Sequence, residues 1–370
     1  MAKEKKTHIK ADNLSELLSA IQKDVGKGSI AQGKGAVVDV DAFPTGVAAI
    51  DYVLGCGGLP IGRIIELYGR ESGGKTTTTL QMAKACQKHF FKDKKRNGVV
   101  AFIDAEHAFD PSWARNIGVD LDKLIVSQPD SGEQSFEIVE KLVESELIDL
   151  IIVDSVAALT PESILESGMN DANIGALASM MAKGLTKIKG KCNKTKTTVI
   201  FINQIREKVG VMFGSPEQTP GGRALKFYAS IRMEINKIAP IKERDEVYAF
   251  RTRAKVIKNK VAPPFMEAEF DICVGKQPRP VYGIDEAASL IEMADKVGVF
   301  TRKGSNYYFG DVHLGNGINS TISTVRNNSS VMSELTEKTH ALMFGNLQKR
   351  LHPEFDADGL ENAILDGDDE

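Results

Sequence analysis

The stretch that most constrains this chain is Gly69-Arg-Glu-Ser-Gly-Gly-Lys75-Thr76, which has the spacing G-x-x-x-x-G-K-T. Before it, the apolar Ile64, Ile65 and Leu67 read as a buried strand, and after it Lys75-Thr76-Thr77 opens a helix. Strand before and helix after is the setting that gives the pattern its meaning. Glycines let the backbone bend so that successive N–H groups point at phosphate oxygens, and the helix N-terminus adds its partial positive charge. Candidate contacts are Gly69, Arg70, Glu71, Ser72, Gly73, Gly74, Lys75, Thr76 and Thr77. Lys75 is placed to reach the β and γ phosphates, and the Thr76 hydroxyl to hold Mg²⁺. The stretch predicts a site for a nucleoside triphosphate.

Strand-like and helical runs alternate around this loop. Strands are expected at 99–104, 124–128, 150–154 and 199–204, and helices at 76–91, 133–147 and 174–189. That order predicts an α/β fold, a mainly parallel twisted sheet with helices on both faces. Ligands of such sheets sit at the carboxyl ends of the strands. There Asp154 ends an apolar strand and is placed to join the Mg²⁺ shell. Glu106, two residues past another strand end, is placed to orient a water toward the γ phosphate; a solvated loop acid is the plain alternative. Trp113 could stack on a purine or serve as core. Gln204 ends a further strand where it could bond the γ phosphate, and it feeds the long loop 205–221. That loop mixes Arg206 and Lys208 with Val209, Met212 and Phe213, and it closes on Gly221 and Gly222. Cations, apolar wedges and close-approaching glycines suit a nucleic-acid backbone. Net charge is −3, so such contacts must come from local clustering. Lys258 and Lys260 fall on one side of an extended run, either as a solvated edge or as cations for a phosphate.

The ends of the chain read differently. Asn13 and Glu16 cap an amphipathic helix over 13–25, tied to the rest by a glycine-rich link. Its stripe must either fold back on its own core or dock on a neighbouring subunit. From Pro278 onward a small helical unit follows, with helix over 285–297 and a polar helical stretch to about Phe344; residues 353–370 carry acids and neither Lys nor Arg. Four scattered cysteines fit reduced thiols in the cytoplasm, and the charged N-terminus is no signal peptide. No apolar run is long enough for a membrane span.

Taken together the motifs resemble the bacterial RecA recombinase family. The stretches carrying the likeness include Gly57-Gly-Leu-Pro-Ile-Gly-Arg63, the phosphate loop, Ala101-Phe-Ile-Asp-Ala-Glu-His107, Val153-Asp-Ser-Val-Ala-Ala-Leu-Thr-Pro161, Phe201-Ile-Asn-Gln-Ile-Arg206, Ala224-Leu-Lys-Phe-Tyr-Ala-Ser230 and Lys258-Asn-Lys260. The resemblance implies a P-loop NTPase of the RecA type: an oligomerisation arm over 1–36, an ATPase core with DNA-binding loops over 37–279, a small α+β domain over 280–346 and an acidic, disordered tail over 347–370. It implies ATP and Mg²⁺ as cofactors, single- and double-stranded DNA as partners, a helical homo-oligomeric filament, and a LexA-like repressor as a candidate partner in the SOS response. By matching position it makes Glu106 the water-activating carboxylate and Gln204 the γ-phosphate sensor. Asp110 and Trp113 become adenine-side contacts, and Lys258 and Lys260 reach the neighbour's nucleotide. The loops 166–175 and 205–221 become DNA loops, which adds Met169, Asn173, Ile174 and Arg223 to the DNA-binding set. The arm helix then docks on the next protomer.

Departures mark a divergent member. Arg70 and Gly73 stand where the family usually has Pro and Ser, and Trp113 where Tyr is usual. Glu207 sits between Arg206 and Lys208, Ser179 and Thr186 occupy positions that are usually arginine, and the basic run Lys88–Arg96 is longer than the usual link. The rival readings are a ring-forming motor or helicase on the same core and a strand-binding scaffold that does not hydrolyse ATP.

Overall fold

The structure, a computed structural model, describes residues 13–25, 30, 40–168, 175–207 and 217–351. The chain divides into two compact units at Val40 and Asp41. The first holds helix α1 (Leu14–Val25). Its start is capped as the sequence predicts, Asn13 Oδ1 accepting from the Glu16 N–H at 2.9 Å.

The second unit is built on one nine-stranded sheet. In chain order it contains α2 (Ala48–Leu54), β1 (Ile64–Gly69), α3 (Lys75–Lys88), β2 (Val100–Asp104), α4 (Pro111–Ile117), β3 (Leu124–Ser127), α5 (Gly132–Glu144), β4 (Leu150–Asp154) and α6 (Glu162–Leu165). Then come α7 (Ala176–Thr195), β5 (Thr198–Gln204), α8 (Ala224–Tyr228), β6 (Ile231–Glu243), β7 (Glu246–Asn259), β8 (Glu267–Val274) and β9 (Tyr282–Ile284). Across the sheet the order is β9-β8-β7-β6-β1-β5-β4-β2-β3. From β6 to β3 every neighbour pair is parallel, and β7, β8 and β9 extend the sheet antiparallel.

The central strands are mainly apolar because both faces are covered. Successive residues alternate sides: Ile65, Leu67, Ile200 and Ile202 enter one core with α2 and α3, while Ile64, Val199, Phe201 and Val153 enter the other with α5 and α7. The long basic run forms a hairpin, Phe90–Phe91 paired with Arg96–Asn97. Asp149, buried at the start of β4, anchors it through Lys94 at 2.8 Å and Arg96 at 2.5 Å. Beyond β9, helix α9 (Glu286–Lys296) leads to an antiparallel sheet of β10 (Thr301–Lys303), β11 (Asn306–Phe309) and β12 (Val312–Asn316). The polar helical stretch read to Phe344 is two helices, α10 (Ile318–Arg326) and α11 (Ser329–Leu351), the second running past residue 347. Ile291, Leu335 and Met343 from these elements share the core of Leu67 and Met82. The four cysteines are free, and burial pushes the thiols of Cys56, Cys192 and Cys273 up to about 12.

Candidate functional site

β1 ends at Gly69 and α3 begins at Lys75, so the glycine-rich loop bridges a strand end and a helix start. A Cβ on Gly69 would strike the Ile235 carbonyl of β6, and only glycine lets the loop pass so close. Gly74 caps α3 at φ 92°, in the left-handed region. Lys75 curls over the loop, Nζ donating to the carbonyls of Arg70 at 2.7 Å and Gly69 at 3.2 Å. Burial lowers its proton affinity, and Asp154, Glu106 and Glu71 act against that. The Thr76 hydroxyl donates to Asp154 Oδ2 at 2.7 Å. Burial, with Glu106 and Asp104 near, pushes the Asp154 carboxyl up to about 6, against the Thr76 bond and the Lys75 charge.

Glu106 follows β2 on an exposed turn, and its Oε1 accepts from Gln204 Nε2 at 3.2 Å. Ser155 Oγ bonds the same oxygen; the sequence reading passed over this serine. Asp104 anchors the turn from below, accepting from the Ala108 and Phe109 N–H groups at 3.1 and 3.0 Å and from Gln128 Nε2 at 2.9 Å. Lys75, Thr76, Asp154, Glu106 and Gln204 thus come together at the carboxyl ends of adjacent parallel strands.

A cavity of about 290 Å³ opens beside them, lined by Ser72 to Thr77 and by Trp113. Its far wall, Lys237, Phe250, Thr252, Ile272 and Val274, comes from the antiparallel strands β6, β7 and β8. None of these was singled out from sequence, since each is one position in an ordinary alternating strand. The Trp113 indole N–H donates to Thr77 Oγ1 at 3.1 Å, and its ring meets Tyr282 edge-on at 6.0 Å. Asp110 caps α4, Oδ1 accepting from the Ser112 and Trp113 N–H groups at 2.8 and 3.1 Å. It thereby fixes the tryptophan's position.

Lys258 and Lys260 do lie on one side, as the alternation predicts. Lys258 Nζ donates to the Lys226 and Phe227 carbonyls at 2.5 and 3.1 Å, and Lys260 Nζ to that of Phe227 at 3.3 Å. Both therefore satisfy the last carbonyls of α8. Burial first, then Lys260 and Arg232, bring Lys258 down to about 8. Beside them the Phe227 side chain is 69% exposed. Of the expected DNA contacts, Arg206 begins a two-residue ribbon with Glu217–Gln218, so the loop read as structureless has a paired stem. Gly221 is buried against Val156 and Met181, while Gly222 and Arg223 are exposed. Met169, Asn173, Ile174, Lys208, Val209, Met212 and Phe213 lie outside the described residues. Among the described residues no helix is long and apolar enough to cross a membrane.

Comparison with known proteins gives the family. Residues 12–277 match the RecA N-terminal domain and residues 288–343 the RecA C-terminal domain. Protein RecA of Ruegeria pomeroyi is 47% identical over 339 residues, covering 91% of this chain and 94% of that one. Protein RecA of Tropheryma whipplei is 49% identical over 327 residues, 88% of this chain and 72% of its own. Protein RecA of Clostridioides difficile is 46% identical over 329 residues, 89% and 91%. The chain belongs to the bacterial RecA family and is a nucleotide-binding recombinase, a DNA-dependent ATPase of DNA recombination and repair.

Proposed function

We propose that Ser72 to Thr77 cradle the phosphates of ATP, with Lys75 leaving the carbonyls of Gly69 and Arg70 to meet the β and γ phosphates. The observation that carries this reading is the Thr76–Asp154 bond at 2.7 Å, a hydroxyl and a carboxylate set together where Mg²⁺ is expected. Among the described residues no cluster of three His, Cys, Asp or Glu side chains forms a metal site. Thr76 and Asp154 would therefore hold Mg²⁺ together with phosphate oxygens and water, and the bound ion would neutralise developing charge. Glu106 orients the attacking water, and Gln204, bonded to it, answers to the γ phosphate. Trp113, backed edge-on by Tyr282, lines the base side of the cavity.

Protomers assemble into a filament along single-stranded DNA, and double-stranded DNA is the second partner in homologous pairing and strand exchange. Lys258 and Lys260, beside the exposed Phe227, face the next protomer's nucleotide in this reading. The loops 166–175 and 205–221 hold DNA, the latter through Arg206, Gly222 and Arg223 at its described ends. The four reduced thiols suit a cytoplasmic setting. A strand-exchange assay on matched DNA, with and without ATP, tests the whole. Exchange that proceeds equally without ATP refutes it, as would an absence of phosphate release on single-stranded DNA.

A further inference from the structure

From the carboxyl end of β5 a line of polar contacts runs through the middle of β1 to the start of β6, and its middle members have no part in the chemistry above. The line starts at Glu106, bonded to Gln204 Nε2. The Gln204 N–H donates to Asn203 Oδ1 at 2.9 Å. Asn203 Nδ2 in turn donates to Glu66 Oε1 at 3.0 Å and to the Pro220 carbonyl at 3.2 Å. Glu66 Oε2 accepts from Arg232 Nε at 2.5 Å. Arg232 lies over the Tyr68 ring at 4.7 Å, and it pairs in register with Glu66 on one side and Lys258 on the other. The links pass from β5 to β1 to β6 to β7, each strand adjacent to the next.

Glu66 is fully buried between Ile65 and Leu67, a position where packing alone would favour an apolar side chain. Each of its oxygens is held by a different neighbouring strand. Displacement of Asn203 therefore frees one oxygen and lets Arg232 shift, and Arg232 is among the charges that Lys258 feels. Pro220 ties the returning end of the loop 205–221 into the same line.

We propose that Glu66 and Arg232 are positioning residues that couple the two nucleotide half-sites of one protomer. Through them the contacts of Glu106 and Gln204 set the reach of Lys258 and Lys260 toward the next nucleotide. The inference rests on the reading of the lysine pair as facing a neighbour. Linkage then requires that successive sites along the filament influence each other reciprocally. The path runs by hydrogen bonds from Gln204 to Arg232 and ends on the backbone pairing of Arg232 with Lys258.

Glu66→Gln keeps the acceptor for Asn203 and removes the charge facing Arg232; Arg232→Lys keeps the charge and loses the Nε bond and the stacking. For each full-length variant, thermal melting, ATP binding without DNA and the ATP dependence of single-stranded-DNA-stimulated hydrolysis are measured. The expected result is ATP binding within about two-fold of the parent and a Hill coefficient that falls to about 1, the value for independent sites. If Glu66→Gln does not fold, Glu66→Gln with Arg232→Met leaves no buried charge unpaired and reads the same quantity. A folded variant that keeps the parent Hill coefficient overturns the proposal, and so does one whose loss of cooperativity only tracks weaker ATP binding. Lys258→Ala is measured in parallel. If it abolishes DNA stimulation while Glu66→Gln keeps full cooperativity, the coupling fails and the lysine reading stands; if Lys258→Ala retains stimulation, both fall.

Discussion

In the proposed site, Lys75 is the side chain on which hydrolysis should depend most. Replacing it with alanine removes the charge aimed at the phosphates and leaves the carbonyls of Gly69 and Arg70 without their donor. Lys75→Ala should lower DNA-dependent phosphate release by about 10²-fold or more and abolish nucleotide-dependent DNA binding; substantial turnover would contradict the assignment. Lys258 gives a pH signature. Burial and its cationic neighbours bring it down to about 8, so the folded protein releases this proton before the unfolded chain does. Stability linked to Lys258 therefore rises with pH from about 8 toward the unfolded value, while its attraction for phosphate fades over the same range. Nucleotide-dependent assembly of free protomers on DNA should weaken as pH rises through about 8, and Lys258→Arg should flatten that decline. A profile with the same fall in both proteins would exonerate Lys258. Trp113 is the only tryptophan, and its indole bond to Thr77 ties its environment to the phosphate loop. Its fluorescence should change on ATP addition, and an unchanged emission would leave it a purely structural residue.

At the level of elements, the parallel half of the sheet was legible because its strands are short, mainly apolar runs with few polar interruptions. The run over 150–154 coincides with β4, and the others differ by a residue or so at their ends. The antiparallel arm was much harder to read. Its strands β6 and β7 pair through three irregularities of register, and their alternation is mixed with exposed charge, so neither the wall of the cavity nor its Lys237 stood out. The Glu66–Asn203–Arg232 line was hidden for a different reason. Each member is a single polar residue inside an apolar strand, and the partners lie 137 and 166 positions apart. Short-range pattern cannot announce contacts of that span. The basic insert, by contrast, was visible as a lengthened link, but its anchor was not. Asp149 holds it through Lys94, Arg96 and the Val99 N–H, so Asp149→Ala should cost about 3 kcal/mol by removing the carboxylate these groups share, with Arg96 keeping just its carbonyl acceptors. Urea unfolding that moves by less than a few tenths of a kcal/mol would make the hairpin an ornament.

For the molecule as a whole, a site divided between protomers predicts complementation. In a filament of mixed Lys75→Ala and Lys258→Ala subunits, half the phosphate loops and half the lysine faces are intact, so about a quarter of the junctions should regain full chemistry. Hydrolysis by the mixture well above either variant alone is the expected outcome, and strict additivity would place every working residue within one chain. The berth of the lysine pair on α8 bears on how such a polymer behaves. Both ammoniums already have carbonyl acceptors at home, so joining a neighbour exchanges bonds rather than adding them. Seams formed by exchange are shallow in energy and reopen readily, which suits a coat that must be shed once the strands it aligned have been traded.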